Sequence, residues 1–262
     1  MIDGHCHLDS TFSTCGEALE SLYQESRSVG IKKIVLLNIP GSSFGGQRGF
    51  CNEEVIHGAK AYGDFFYVFP AINPLEAHAV DKVKAYKLLG IAGIKLHPRI
   101  HQYSVENQLC VDLVKEAGAA KLPVLICGFP DGLGLKLGNI PSAFGRLADK
   151  APETKIAYGH SGGHYIIDAM MIAKACKNIY LDLSFSLLYY QKSGVPNDLE
   201  YAIQSMQGKK IFWGTDYPDR PYAKTVEMSL AAFDKLRLAD EFKEAILSTN
   251  IYEFLGLPCE SS

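Results

Sequence analysis

The chain of 262 residues lacks the features that mark several classes of protein. No apolar run reaches the roughly 18 residues of a membrane span, and no basic leader precedes an apolar segment, so we expect neither a membrane protein nor a secreted one. The 26 basic and 29 acidic residues give a net charge of −3, and no Lys/Arg cluster is longer than two, which argues against nucleic-acid binding. Seven cysteines without a CxxC motif indicate reduced thiols in a cytoplasmic protein.

Short apolar runs alternate with amphipathic stretches along the whole chain, which predicts an α/β fold. Eight strands are expected, at residues 2–8, 33–39, 65–73, 91–97, 123–127, 155–160, 179–184 and 210–216. Their near-continuous apolar character is typical of parallel strands covered on both faces. Eight strand–helix units in about 250 residues predict a (β/α)8 TIM barrel, a single domain over 1–262 with an extra C-terminal helix within 241–255. An open doubly wound sheet is the alternative, but no GxGxxG follows the first strand.

Polar side chains cluster where the predicted strands end, which is where barrels of this type carry their active sites. Five of the eight histidines lie at or just beyond strand ends, namely His5, His7, His97, His101 and His160. The same ends carry Lys95, Arg99, Cys127, Asp182, Ser184 and Asp216.

His5 and His7 form the most specific pair, because residues two apart in a strand point to the same face. Two imidazoles on one face can chelate a divalent ion, although an isolated HxH pair is more often chance or packing. Asp216 ends the eighth strand, which neighbours the first in a closed barrel, so the carboxylate and the two imidazoles are expected to converge. Alternatively, Asp216 caps a turn and His160 is a buried histidine beside a tight glycine turn.

Four motifs and a closing segment then carry a family resemblance over nearly the whole chain. They are IDGHCH at 2–7, GIKLHP at 93–98, GHSGG at 159–163, GTDYP at 214–218 and NIYEFLG at 250–256. This ordered set resembles the amidohydrolase superfamily, in its amidohydrolase-related branch of metal-dependent hydrolases and decarboxylases.

The resemblance implies a role for each matching residue. His5 and His7 would ligate one divalent metal, with zinc as the expected ion. Asp216 would ligate the metal or contact its water and act as general base. His160 would ligate the metal or polarise the substrate oxygen.

The sequence departs from the family at the fifth strand, where Cys127 stands in place of a histidine. Cys127 is either a thiolate ligand, which zinc accepts, or a buried thiol, which we favour because free cysteine is often buried. Some relatives bridge two metals with a carboxylated lysine on the fourth strand, where this chain has Lys95. We favour a single metal, with Lys95 as an unmodified side chain in the pocket.

Lys95, His97, Arg99 and His101 are expected to bind substrate, and Arg99 suits a carboxylate through bidentate hydrogen bonds. A solvated loop is the alternative for Arg99 and His101, and Arg48 is a weaker candidate of the same kind. The expected partner is a small molecule, and the apolar run at 187–190 leaves open a lid, a subunit contact in a homo-oligomer or simple packing.

The leading functional prediction is metal-assisted hydrolysis of a small amide, lactone or ester. No GxSxG motif is present, which argues against an α/β-hydrolase with a serine nucleophile. Non-oxidative decarboxylation of an aromatic or unsaturated carboxylic acid is the alternative. The third hypothesis is a barrel that has lost catalysis and serves in binding. The missing fifth-strand histidine is consistent with this hypothesis.

Overall fold

The computed structural model describes residues 1–40 and 49–259, and its core is a ring of parallel strands. The strands are β1 (Ile2–Cys6), β2 (Lys33–Asn38), β3 (Phe66–Pro70), β4 (Ile94–Leu96), β5 (Val124–Ile126), β6 (Ile156–Tyr158), β7 (Ile179–Asp182) and β8 (Ile211–Phe212). Strands that follow one another in the chain pair in parallel, in one run from β1 to β3 and another from β4 to β8.

Backbone contacts join these two runs into a closed barrel. A parallel bridge between Ala71 and Lys95 connects the end of β3 to β4. On the other side, Gly4 N donates to Trp213 O at 2.9 Å and Asp216 N donates to His5 O at 2.8 Å, which ties the segment after β8 to β1. The chain therefore forms the predicted TIM barrel, and the first and last strands are neighbours.

Helices surround the strands and also occupy the loops at one end of the barrel. The outer helices are α1 (Cys15–Ser28), α2 (Asn52–Ala59), α3 (Ala79–Leu88), α5 (Gln108–Ala119), α7 (Pro141–Lys150), α8 (Ile166–Ala175), α10 (Val195–Ser205) and α11 (Tyr222–Lys235). The short helices α4 (Pro98–His101), α6 (Gly132–Lys136) and α9 (Ser186–Tyr189) follow β4, β5 and β7. After α12 (Asp240–Glu244), a π-helical turn at Ala245–Thr249 leads into α13 (Asn250–Leu255).

The terminal helix α13 fills the barrel floor with apolar side chains. Phe254 is fully buried, and its ring centroid lies 5.3 Å from that of Phe212, 5.4 Å from Tyr180 and 6.3 Å from Phe69. Ile251 belongs to the same interior cluster. The opposite end, where the carboxyl ends of the strands lie, holds the polar side chains.

Several strands are shorter than the sequence predicts, and the differences fall at the site. The expected strand 91–97 ends at Leu96, because His97 caps α4 by accepting a hydrogen bond from Ile100 N, with Pro98 at the first helical position. The expected strand 155–160 ends at Tyr158, and His160 lies in the turn that follows.

In the run at 187–190, for which a lid, a subunit contact and simple packing were the alternatives, Leu187 and Leu188 are buried in the core, while Tyr189 is 54% exposed. None of the helices within the described residues combines the length and apolarity that crossing a membrane requires.

The packing of α13 predicts that Phe254→Ala lowers the free energy of unfolding by about 3–5 kcal/mol, because a fully buried aromatic ring is lost and a cavity remains. Urea denaturation measures the change. The control is Leu88→Ala, whose side chain is 89% exposed on α3 and whose loss is expected to cost no more than about 0.5 kcal/mol. Equal effects of the two substitutions would show that α13 does not seal the barrel.

Candidate metal centre and active site

The open end of the barrel contains a cavity of about 660 Å³. His5, His7 and Asp216 all line it, together with His160 and Lys95. The pairing register of β1 is irregular between Asp3 and Cys6. Cys6 packs in the larger hydrophobic cluster of the protein, whereas the imidazoles of His5 and His7 face the cavity. The closure of β1 against the segment after β8 places Asp216 beside them.

The three side chains converge as ligands of one ion would. His5 Nε2 lies 3.2 Å from Asp216 Oδ1, and His7 Nε2 lies 3.4 Å from the same oxygen. Two ligand atoms on a tetrahedral ion with bonds of about 2.1 Å lie roughly 3.4 Å apart. The spacing of His5, His7 and Asp216 therefore fits one small divalent ion with a further coordination position open to the cavity.

The other nitrogen of each imidazole is anchored to an acceptor. His7 Nδ1 lies 2.6 Å from Leu37 O, and His5 Nδ1 lies 2.6 Å from Asp182 Oδ2. A carbonyl or carboxylate in this position is the usual outer partner of a metal-binding histidine, because it fixes the ring and leaves Nε2 as the ligand atom. The donor set therefore fits a divalent metal in chemistry as well as in spacing.

His160 lies beside these residues, in a turn of unusual backbone conformation. His160, Ser161, Gly162 and Gly163 all have positive φ, from 50° to 67°. The side chain is buried, and its Nδ1 lies 3.2 Å from Ser184 O. No close group of potential ligand atoms among the described residues joins His160 to His7 and Asp216.

The electrostatics of the site make His160 cationic and Asp216 anionic. Burial by itself would lower the pKa of His160, but hydrogen bonding to Cys127 and the charges of Asp216 and Asp182 outweigh burial and raise that pKa to about 9. Burial would also raise the pKa of Asp216, yet His5, His7 and His160 hold it well below its usual range. At neutral pH the cavity therefore presents a fixed acceptor and a fixed donor.

Cys127 is buried immediately after β5 and contacts two histidines. It hydrogen-bonds to His97 and His160, and their charges lower the pKa of the thiol well below its usual value although burial opposes this. Among the described residues, its Sγ belongs to none of the close groups of three potential ligand atoms. The structure thus places Cys127 beside the two imidazoles rather than with His5, His7 and Asp216.

The expected substrate-side residues divide into two sets. Lys95, His97 and Arg99 line the cavity, and Lys95 Nζ lies 3.5 Å from His5 Nε2, with burial lowering the pKa of the lysine. Arg99 pairs with Asp131 at 2.9 Å. His101 does not line the cavity and stacks against Tyr103, while Arg48 lies outside the described residues.

Four residues for which the sequence predicts no role complete the site. Asp182 and Ser184 lie behind the imidazoles, and their spacing of two at a strand end is the feature that could have indicated them. Phe129 and Phe185 line the cavity, with ring centroids 5.8 and 6.1 Å from that of His160. No feature of the sequence distinguishes these two aromatic residues from core residues.

Solved structures with the same fold cover the whole barrel at low sequence identity. An uncharacterised TIM-barrel protein from Bordetella bronchiseptica has a TM-score of 0.79 and 20% identity, with 98% of this chain and 99% of that chain covered. A probable 2-pyrone-4,6-dicarboxylic acid hydrolase from Acinetobacter baumannii, with citric acid bound, has a TM-score of 0.66 and 16% identity over 98% and 99% of the chains. A 5-carboxyvanillate decarboxylase from Novosphingobium aromaticivorans, complexed with manganese and 4-hydroxy-3-methoxy-5-nitrobenzoic acid, has a TM-score of 0.66 and 13% identity over 98% and 95%.

These likenesses establish the fold, and no curated protein sequence matches the chain significantly. The family profile described as amidohydrolase matches residues 44–257. The matched region contains His160 and Asp216, and the barrel closure brings His5 and His7 from outside it to the same cavity. The chain belongs to the amidohydrolase family.

Proposed function

We propose that this protein is a metal-dependent hydrolase of a small amide, lactone or ester. The observation that carries the proposal is the convergence of His5 Nε2, His7 Nε2 and Asp216 Oδ1, with both Nδ1 atoms anchored from behind. Two imidazoles, a carboxylate and an open position form a donor set that catalytic zinc uses, so we propose one zinc ion. The decarboxylase from Novosphingobium aromaticivorans contains manganese, which makes manganese the second ion to test.

Asp216 is the proposed general base. A divalent ion bound by these residues would supply a water of lowered pKa as the nucleophile. Asp216 is ionised because its pKa is held well below the usual range, so its carboxylate can accept the proton of the attacking water. The same carboxylate can then return the proton to the leaving group.

His160 is the proposed donor to the substrate carbonyl oxygen. With Nδ1 held at Ser184 O, its remaining edge is left for Cys127 and the cavity. A protonated imidazole there would stabilise the negative charge that develops on the oxygen as the carbonyl is attacked. Lys95, His97 and Arg99 on the cavity wall would orient the substrate, and Arg99 suits a carboxylate group.

Decarboxylation of an aromatic or unsaturated carboxylic acid is the second candidate. The observation that favours it is the aromatic wall of the cavity, formed by Phe129 and Phe185. Phe129 and Phe185 pack edge to face at 5.0 Å beside His160, and the Arg99 guanidinium lies over the Phe129 ring at 6.0 Å. A flat substrate could stack there with its carboxylate toward cationic side chains. His160 would then deliver the proton that replaces carbon dioxide.

A substrate screen separates the two candidates. We expect the zinc- or manganese-loaded protein to hydrolyse members of a panel of amides, lactones and esters without releasing carbon dioxide. Asp216→Asn should reduce that hydrolysis by about 100-fold or more, because it removes the proposed base and weakens one of the three proposed metal ligands. Carbon dioxide release from a second panel, of aromatic acids, would instead identify a decarboxylase. If the metal-loaded protein turns over no member of either panel, the result would support the hypothesis of a binding protein without catalysis.

Elemental analysis tests the metal ligands independently of substrate. The purified protein should contain roughly one divalent ion per chain, and His5→Ala and His7→Ala should lose it, because each removes one of three protein ligands. His78→Ala is the matched control, since this histidine lies outside the cavity with its side chain 82% exposed. Unchanged metal content in His5→Ala or His7→Ala would remove that residue from the site.

The same measurement decides the role of Cys127. Cys127→Ala should keep its metal, because the thiol lies with His97 and His160 rather than with the three converging donors. Loss of metal in Cys127→Ala, with the fold retained by circular dichroism, would show that the thiolate is a ligand.

A further inference from the structure

We infer that Asp182 and Ser184, at the end of β7, are positioning residues that fix the tautomer of His5 and the ring orientation of His160. In this arrangement both rings direct an Nδ1 proton at an acceptor of this segment, and both present Nε2 toward the cavity, as a lone pair in a neutral His5 and as an N–H in a protonated His160. The part of the inference that concerns metal affinity rests on the proposed function, whereas the part that concerns tautomers does not.

The two residues form a buried hydrogen-bonded pair behind the cavity. Both are fully buried, and neither lines the cavity. Ser184 N donates to Asp182 Oδ1 at 2.8 Å, and Ser184 Oγ donates to Asp182 Oδ2 at 2.9 Å. A buried carboxylate with these donors is held in one orientation, so it can serve as a rigid reference point for neighbouring rings.

The hydrogen bond from His5 determines where that ring carries its proton. His5 Nδ1 lies 2.6 Å from Asp182 Oδ2. An ionised carboxylate only accepts hydrogen bonds, so His5 Nδ1 must be the donor. The lone pair of a neutral His5 is then on Nε2, the atom that lies 3.2 Å from Asp216 Oδ1. Asp182 thereby orients His5 without touching the proposed ion.

The same segment holds His160 through its ring and through its backbone. The ring Nδ1 lies 3.2 Å from Ser184 O, which also only accepts, and His160 N lies 3.4 Å from Asp182 Oδ2. Ser161 Oγ donates to Asp182 O at 2.8 Å, and Ser186 Oγ donates to His160 O at 2.7 Å. These bonds support a turn in which His160 and Ser161 have positive φ, a conformation that costs free energy for residues other than glycine.

Asp182 could instead be a ligand, because its carboxylate, His5 and His160 also form a close group of potential metal-binding atoms. The spacing argues against this. The 2.6 Å between His5 Nδ1 and Asp182 Oδ2 is a hydrogen-bond distance, well below the roughly 3.4 Å between two ligands of one tetrahedral ion. A bonded proton, rather than an ion, therefore lies between them.

Asp182→Asn tests the role with almost no change in size. An asparagine has one oxygen and one NH2 group, so in either orientation a donor faces the His5 Nδ1 proton or the Ser184 N–H. We expect metal affinity, measured with Co²⁺ against a competing chelator, to fall by about 10- to 100-fold. The Co²⁺ absorption bands of the loaded variant should keep their positions and intensities, since the ligands are the same. Unchanged affinity, or bands that indicate a lost ligand, would overturn the assignment.

A pair of serine variants provides the matched control. Ser184 and Ser186 are both buried on the same segment, but only Ser184 Oγ contacts the rings, at 3.0 Å from His5 Nδ1 and 3.2 Å from His160 Nδ1. Ser184→Ala should weaken Co²⁺ binding and Ser186→Ala should leave it unchanged within error. Equal effects of the two substitutions would mean that the segment acts only as structural support.

Nitrogen-15 NMR of the histidine side chains in the unsubstituted protein keeps the inference testable if Asp182→Asn does not fold. His5, assigned through loss of its signals in His5→Ala, should show a one-bond coupled proton on Nδ1 and none on Nε2 in the zinc-loaded state. A neutral His5 with its proton on Nε2 would contradict the inference. If the protein binds no metal, the proposed function fails, but the proton on His5 Nδ1 is still expected and still decides the role of Asp182.

Discussion

The seam between β1 and the segment after β8 is the constraint on which the rest of this protein depends. Asp216 N donates to His5 O at 2.8 Å, so a carboxylate from late in the chain lies beside imidazoles from its beginning. The seam tolerates no side chain at Gly214, where a Cβ would lie 2.5 Å from His5 N. Behind it, the buried Asp3 accepts from Thr215 N at 2.9 Å and from Tyr222 OH at 2.9 Å. Backbone closure therefore fixes the proposed ligands before any ion binds.

The barrel separates stability from chemistry along its axis. The floor is an apolar cluster closed by α13, in which Phe254 packs against rings from three strands. The mouth holds buried polar groups, which are costly unless they are hydrogen-bonded. Asp182 and Ser184 meet that requirement by bonding to each other and to the two histidines. The apolar cluster thus lies beneath a layer of buried polar groups that are hydrogen-bonded to one another.

The sequence was sufficient for the barrel and for the three converging donors, because both follow from local patterns combined with closure. Strand–helix alternation predicts the architecture, and the spacing of His5 and His7 predicts a shared face. Asp182 could not be given its role, since its contact with His5 spans 177 residues and requires the depth and orientation of β7. The turn at His160 was predicted as strand, because two glycines do not reveal that the histidine itself adopts positive φ. The aromatic wall at Phe129 likewise depends on loop conformations that local periodicity does not encode.

The proposed chemistry requires one ion held by His5, His7 and Asp216. The most direct test is a crystal of the zinc- or manganese-loaded protein with diffraction recorded at the absorption edge of that metal. One strong anomalous peak is expected, within bonding distance of His5 Nε2, His7 Nε2 and an Asp216 carboxylate oxygen. A peak bonded instead to Cys127 and His97, or no peak in the cavity at saturating metal, would contradict it.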